Sequence, residues 1–418
     1  RSKKNTVMVK DEDMFEAYYQ CCKHKGGSIS KVEYSLSARK DIIRLVDEVN
    51  NRTYLPSTSI TFVVTNPKYR EVFAASFRDR IIHHYLAIRI EPLLEAVFGD
   101  RTFNCRKEKG VLFGINMLKE DVRLCSEDYT RDCWIMKLDL KGFFMSINKP
   151  LLDKLLVDFI TRYYEGADKE DVLWLTHLIV MHRPELDCVR RSDPEKWTHL
   201  PPNKSLFTND PDCGLAIGNL PSQLFANFLL NILDWYIDTE LGLKYHGRYV
   251  DDFYIIHTDK TELLNSVPKI RQILRDRCMV SLHPDKFYIQ HYSKGVKFTG
   301  AVVKFGRVYP ANRTVGNFTN AIYRLNKARD MEGITKCIQS INSYLGILIH
   351  MDSYAIRRKI LGMIDSRLYE YLYIRGHFEV VCLKEKYKKT ESPWRDRGLK
   401  VYYAKDLNDH ELILEDDE

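Results

Sequence analysis

The 418-residue sequence holds ten cysteines yet no Cys-x-x-Cys pair. Neither a zinc ribbon nor a secreted disulfide framework is therefore expected, and reduced thiols in a cytoplasmic setting are. It lacks any apolar run near the roughly 20 residues that a membrane-spanning helix needs, so no membrane partner is expected. Basic residues at the N-terminus are not followed by the apolar core of a secretory leader, and a chain that begins at Arg1 without Met reads as trimmed. A strong charge excess is missing too. The 64 Lys and Arg against 57 Asp and Glu leave a formal net charge of +7, which favours an acidic partner, nucleic acid first, without identifying one. What is present is a 44% hydrophobic and 29% charged composition, over a length that can bury a large core in two or three domains.

The chemistry gathers around RYVDDFYIIH, residues 248–257. Val250 and the run Phe253–Ile256 have the β-branched and aromatic character of strands, which puts Asp251 and Asp252 at a tight hairpin turn between them. Adjacent carboxylates repel one another and cost several kcal/mol to desolvate, a cost that divalent cations offset, Mg²⁺ above all. A third acid comes from WIMKLDLKGFFMSI, where an apolar run of strand character is broken by Asp139 and followed by Gly142, Phe143 and Phe144. A solvated acidic turn would explain Asp251 and Asp252 alone. It would not explain the order of the stretches around them.

Residues 1–55 show helical spacing at MFEAYYQCC and SARKDIIRLVDEVNN. A strand pair follows, with a turn at Asn66-Pro67 and the cations Lys68 and Arg70 just after it. FRDRIIHHYLAIRIEPLLEAVF is a strong helix pattern, and the basic turn of TFNCRKEKG opens the next helix, a setting that suits phosphate. His83 and His84, adjacent on a helix, point apart and are read as structural. Residues 165–213 begin helical and continue as a long loop insertion whose His182, Cys188 and Cys213 follow no zinc spacing. GLAIGNLPSQLFANFLLNILDWYID is a turn feeding a long helix; beyond the paired acids come a helix, strands, and three stretches over 310–375 with apolar and basic helical faces.

In this order the stretches resemble the motifs of reverse transcriptases. Asp139 falls in their motif A, and the Tyr-x-Asp-Asp hairpin is their motif C. The resemblance implies two Mg²⁺ ions, with Mn²⁺ as a substitute, on a ligand set of Asp139, Leu140, Asp251 and Asp252. FRDRIIHH, FNCRKEKG and PKYR resemble finger motifs, which implies Lys68 and Arg70 on the incoming triphosphate and Arg106 on template or phosphate. Phe144, five positions after Asp139, falls at the steric gate that rejects a ribose 2′-hydroxyl. Lys286 in LHPDKF resembles the lysine that protonates the leaving pyrophosphate, and GVKFTGAVV resembles the primer grip. Gly218 lies in motif B, where the usual Gln-Gly-x-x-x-Ser-Pro is replaced by Ile217-Gly218-Asn219-Leu220-Pro221-Ser222-Gln223. Ile217 and Gln223 follow the pattern of the diversity-generating retroelement branch.

The fold so implied is α+β, a right-hand polymerase of fingers, palm and helical thumb with an antiparallel palm sheet. Its expected parts are an N-terminal helical extension (1–55), fingers (56–130), a palm (131–305, with the insertion 165–213), a thumb (306–380) and a basic then acidic tail (381–418). The expected function is an RNA-directed DNA polymerase that makes adenine-mutagenic cDNA from a template-repeat RNA to diversify a target gene. Its expected partners are template RNA, the RNA/cDNA duplex, dNTPs and a small basic pentameric accessory variability protein. Two alternatives stand beside this: a reverse transcriptase of another bacterial retroelement or phage-defence system, and a non-catalytic RNA-binding scaffold. The lack of a His-Asn-His nuclease or zinc segment argues against a full intron protein.

Overall fold

A computed structural model describes residues 9–23, 29–65 and 68–387. The turn expected at Asn66-Pro67, and the tail beyond residue 387, lie outside the described residues. The chain divides into two compact units, one of Arg1–Thr299 with Val303–Gly306, the other of Gly300–Val302 with the residues from Arg307 onward.

The first unit opens with helices α1 (Asp11–Cys22), α2 (Ile29–Ser35) and α3 (Ala38–Asn50), followed by the antiparallel pair β1 (Ser59–Val64) and β2 (Arg70–Ala74). Helix α4 (Phe77–Val97) is capped by Ser76, whose hydroxyl accepts the Asp79 N–H at 3.2 Å. Helix α5 (Val111–Cys125) leads to β3 (Trp134–Asp139), the short α6 (Phe143–Ser146), α7 (Lys149–Tyr163) and α8 (Lys169–Met181). Then come β4 (Cys188–Arg190), α9 (Pro194–Thr198), α10 (Leu220–Thr239), β5 (Tyr245–Tyr249), β6 (Asp252–His257), α11 (Lys260–Ile273) and β7 (Tyr288–His291).

Strands β5, β6, β3 and β7 form a four-stranded antiparallel sheet in that order. Alternation along β3 and β6 decides what each face carries. Met136, Leu138, Phe253 and Ile255 join the main core with Phe225, Leu229 and Leu233 of α10, and burial of each such side chain contributes about 1.5–3 kcal/mol. Lys137, Asp139, Asp252 and Tyr254 occupy the other face. The acids thus lie on the face opposite the main core, beside Lys137 and Tyr254, which are themselves buried.

The insertion differs from the long loop expected. After α8 it sends β4 alongside β1 in parallel, so the β1–β2 hairpin becomes a three-stranded sheet of order β2-β1-β4. Fully buried Glu71 on β2 holds the returning chain: its carboxylate accepts from the Ser205 hydroxyl at 2.5 Å and from the Leu206 N–H at 2.8 Å. A three-residue strand leaves almost no period-2 signal, which is why composition read the segment as loop.

Strands β8 (Val296–Phe298), β9 (Ala301–Lys304) and β10 (Arg307–Pro310) carry the chain from the first unit to the second. The second unit consists of α12 (Asn312–Lys327), α13 (Met331–Leu348), α14 (Tyr354–Leu361) and the hairpin β11 (Leu372–Arg375) and β12 (Val380–Leu383). The third helical stretch stops at Leu361, short of the expected end, and the strand β12 runs from Val380 into residues 381–383, which were expected as tail. Asn342 of α13 fixes this hairpin by donating to the Val381 carbonyl at 2.8 Å and accepting its N–H at 2.9 Å. Among the described residues no helix is long and apolar enough to cross a membrane.

Candidate active site

Asp139 ends β3 directly opposite Asp252, the first residue of β6, while Asp252 also faces Tyr249 across the hairpin. Val250 and Asp251 form the two-residue loop. Asp251 is thus in the turn, as expected, and Asp252 is already in the strand. Three carboxylates from two chain segments 112 residues apart in order of Asp139 and Asp251 meet at one end of the sheet. The Val250 φ of 59° is in the left-handed region, which a β-branched residue rarely enters.

The carboxylates sit among cations. Lys286 donates to Asp139, and Lys137, one strand position pair before Asp139 on the same face, donates to Asp252. Burial, reinforced by the negative charge of Asp139, pushes the Asp251 carboxyl up to about 6. Burial also raises Asp252, against the pull of the Lys137 ammonium, and lowers Lys137 in turn. Both shifts have one cause: each group loses water that would stabilise its charge. Among the described residues no group of three or more His, Cys, Asp or Glu side chains is arranged to hold a metal ion; Asp139 and Asp252 are engaged by ammonium groups. The set nonetheless suits a hard divalent cation, because it offers only carboxylate oxygens, and their charge is already drawing in two ammonium groups.

Phe144 follows Gly142, whose φ of 56° starts α6. Its ring is half-buried, 5.6 Å from that of Phe143, and its carbonyl accepts the Leu215 N–H at 2.9 Å, which links α6 to the segment before α10. The turn into α10 lies on β2: the Ile217 carbonyl accepts the Phe73 N–H at 2.8 Å. Gly218, with φ at 115°, comes so close that a Cβ would meet the Phe73 carbonyl oxygen at 2.7 Å. Ile217 packs partly buried against Phe73, Met145 and Leu206, and the Gln223 amide oxygen accepts from the Cys105 thiol at 2.6 Å. Lys68 and Arg70 are exposed near the start of β2, the strand that this turn contacts.

These features, in this chain order, agree with the family comparison. The family model for reverse transcriptase (RNA-dependent DNA polymerase) matches residues 64–303, more than half of the chain. The chain belongs to the reverse transcriptase family. It is an RNA-directed DNA polymerase with a right-hand polymerase fold of mixed helices and antiparallel sheet. Protein YkfC of Escherichia coli (strain K12) is 23% identical over 309 residues, covering 66% of this chain and 74% of the relative. Among solved structures, telomerase from Candida albicans, in complex with a fragment of telomeric RNA, aligns at 11% identity and a TM-score of 0.41, over 75% of this chain and 56% of that one. Apo telomerase from Candida tropicalis aligns at 12% identity and a TM-score of 0.44, over 75% and 57%. The reverse transcriptase chain thus spans a little over half the length of these two.

Not every residue expected at the reverse transcriptase site is brought to it. Arg106 turns inward. Its Nε and Nη2 donate to Glu95 at 2.9 and 2.8 Å, its Nη1 donates to the carbonyls of Gly99 and Thr102 at 2.6 and 3.2 Å, and its guanidinium lies over the Phe98 ring at 5.3 Å. With its donors taken and only 9% of its surface exposed, Arg106 shapes the turn rather than meeting phosphate. His83 is buried, and burial lowers its imidazole to about 3, in keeping with a structural role. Lys137 was missed, although a Lys two positions before Asp139 shares its strand face and was readable from the alternation. The buried polar residues behind the hairpin, Asn104, Asn227, Asp234 and Arg248, carried no local signal, since their partners are distant in sequence.

Proposed function

We propose that this reverse transcriptase joins dNTPs to a primer at the open end of the β5-β6-β3-β7 sheet, with Asp139, Asp251 and Asp252 as the acids of the reaction. The observation that carries the reading is the strand register that sets Asp139 against Asp252 with Asp251 in the adjoining loop. Asp139, Asp251, Asp252 and, through its carbonyl, Leu140 would hold two divalent cations, Mg²⁺ with Mn²⁺ as a substitute, which would supply Lewis-acid activation of the 3′-hydroxyl and charge neutralisation at the triphosphate. Lys286 stands beside Asp139 and is the proton donor to the leaving pyrophosphate. Lys68 and Arg70 face the triphosphate as exposed cations. Phe144 is the gate against ribonucleotides. In domain terms, residues 56–130 act as fingers, 131–305 as palm and 306–380 as thumb. Primer extension on an RNA template tests the core of this reading: Asp139→Asn should lose extension, and extension at the wild-type rate would contradict it.

Within the family, the heptad from Ile217 to Gln223 supports the diversity-generating branch, and with it adenine-mutagenic copying of a template-repeat RNA in the cytoplasm, assisted by a small basic pentameric protein. A glutamine amide at position 217 could hydrogen-bond near the nascent pair, whereas Ile217 offers only a stiff apolar surface. A difference of about 1.4 kcal/mol between right and wrong pairs already changes error tenfold. Sequencing cDNA from one adenine-containing template tests this. Wild type should misincorporate opposite adenine several times more often than Ile217→Gln, and equal error would leave Ile217 as packing against Phe73 and Met145.

A further inference from the structure

A valine in the left-handed region needs something to keep it there. Hairpin loops that demand positive φ ordinarily use Gly, Asn or Asp at that position, and Val250 is none of these. Both of its peptide groups are held by side chains from behind the hairpin. Its N–H donates to the Asn104 side-chain oxygen at 2.8 Å, and its carbonyl accepts from Nη1 of Arg248 at 3.0 Å. Its side chain packs against the main core. Val250, next to Asp251 in the loop, is therefore fixed on three sides.

The groups doing the holding form one satisfied network. Arg248, 1% exposed, pairs with Asp234, 5% exposed, through Nε at 2.8 Å and Nη2 at 2.5 Å. Nη2 also donates to the Thr102 hydroxyl at 3.2 Å, and that hydroxyl donates to Asp234 at 2.6 Å. Nη1 reaches the Asn227 side-chain oxygen at 3.4 Å, and the Asn227 amide nitrogen donates to the Asn104 carbonyl at 2.9 Å. Main-chain bonds join the same segments: Arg248 N–H to the Arg101 carbonyl at 2.7 Å and Phe103 N–H to the Arg248 carbonyl at 2.9 Å. Three stretches far apart in sequence, the TFNC turn, α10 and the Asp hairpin, thus close on Asn104.

We propose that Asn104 is a positioning residue for catalysis: by holding the Val250 N–H it keeps the hairpin loop in its left-handed form and so aims the Asp251 carboxylate. This rests on the reading of Asp251 as a metal-binding acid. Through its own main chain Asn104 also ties that aim to α10, so a shift of the TFNC turn is felt at the acids. Arg248 acts in the same frame, but its removal would strand the buried Asp234 carboxylate and test folding rather than aim.

Asn104→Ala is the informative change, because it removes one acceptor and leaves the Arg248–Asp234 pair intact. Supporting groups behind metal-binding side chains typically matter by about 10- to 100-fold in activity or metal affinity. Asn104→Ala should lower kcat at least tenfold and weaken Mg²⁺ binding, read by calorimetry without substrate, by a similar factor, while KM for dNTP stays within twofold. Asn104→Asp, which keeps an acceptor for the Val250 N–H, should recover most of kcat. In a Val250→Gly background, where the left-handed loop has no steric cost, the loss on Asn104→Ala should shrink below threefold. A kcat for Asn104→Ala within twofold of wild type, equal losses in both backgrounds, or no recovery with Asn104→Asp would overturn the proposal. Asp251→Asn separates the two readings. If it keeps the rate, the role of Asp251 falls and the positioning with it; if it is inactive while Asn104→Ala is unaffected, only the positioning falls.

Discussion

Asp251 carries a pH dependence of definite sign. Burial and the Asp139 charge raise its carboxyl from an ordinary value of about 4 to about 6. A carboxyl that holds its proton more tightly when folded contributes stability that is fully present below about pH 4 and lost as pH rises through about 6. In metal-free protein, the urea midpoint of wild type relative to Asp251→Asn should therefore fall between pH 4 and pH 7; a constant difference would show that the carboxyl is not raised. Activity at limiting Mg²⁺ should move the opposite way and fall as pH drops through about 6, because cation binding requires the carboxylate. Phe144 allows a second test at this scale. Its half-buried ring is set by Phe143 and by the Leu215 N–H on its carbonyl, so Phe144→Ala should open space beneath the sugar without unfolding α6. Incorporation of rNTP relative to dNTP should rise at least tenfold, and an unchanged ratio would move the gate elsewhere.

Among the elements, the insertion brace is the part that the sequence concealed. Fully buried Glu71 accepts from Ser205 and Leu206, and Arg190 at the end of β4 lies 3.7 Å over the Phe207 ring. Glu71→Ala should cost about 2 kcal/mol, the scale of hydrogen bonds to a charged acceptor, and should loosen the β1–β2 hairpin. Thermal melting would show the first effect, and a raised KM for dNTP the second; an unchanged melting temperature would mean that the brace contributes nothing. Strands β3 and β6 were legible because an acid interrupting an apolar strand pattern is a local signal, and Asp139, Asp251 and Asp252 came with it. The α4 and α10 helices were legible from their 3.6-residue period. Strand β4 was not, being three residues long, nor was the inward turn of Arg106, whose partner Glu95 lies on the preceding helix. The left-handed Val250 was invisible for a related reason: the groups that hold it come from Asn104 and Arg248, and only the fold brings them together.

For the whole molecule, the modest net charge of +7 bears on how it handles nucleic acid. Each phosphate neutralised by Lys or Arg steepens the fall of affinity with salt, and a chain with so small an excess gains much from a basic partner. Under the diversity-generating reading, template-dependent cDNA synthesis should be weak alone, rise with the basic accessory protein, and lose that gain steeply between 50 and 200 mM salt, roughly the range over which such contacts weaken by orders of magnitude. Full synthesis by the isolated chain, indifferent to the partner, would contradict that reading while leaving polymerase chemistry untouched. Under the proposed assignment of the acids, the polymerase chemistry fails without Asp251. The direct measurement is dNTP incorporation on a primed RNA template by wild type and by Asp251→Asn, with RNA binding followed in parallel. Asp251→Asn should bind the RNA with near wild-type affinity, since no phosphate-binding cation is lost, and should incorporate no measurable dNTP; incorporation near the wild-type rate would contradict the assignment of the acids.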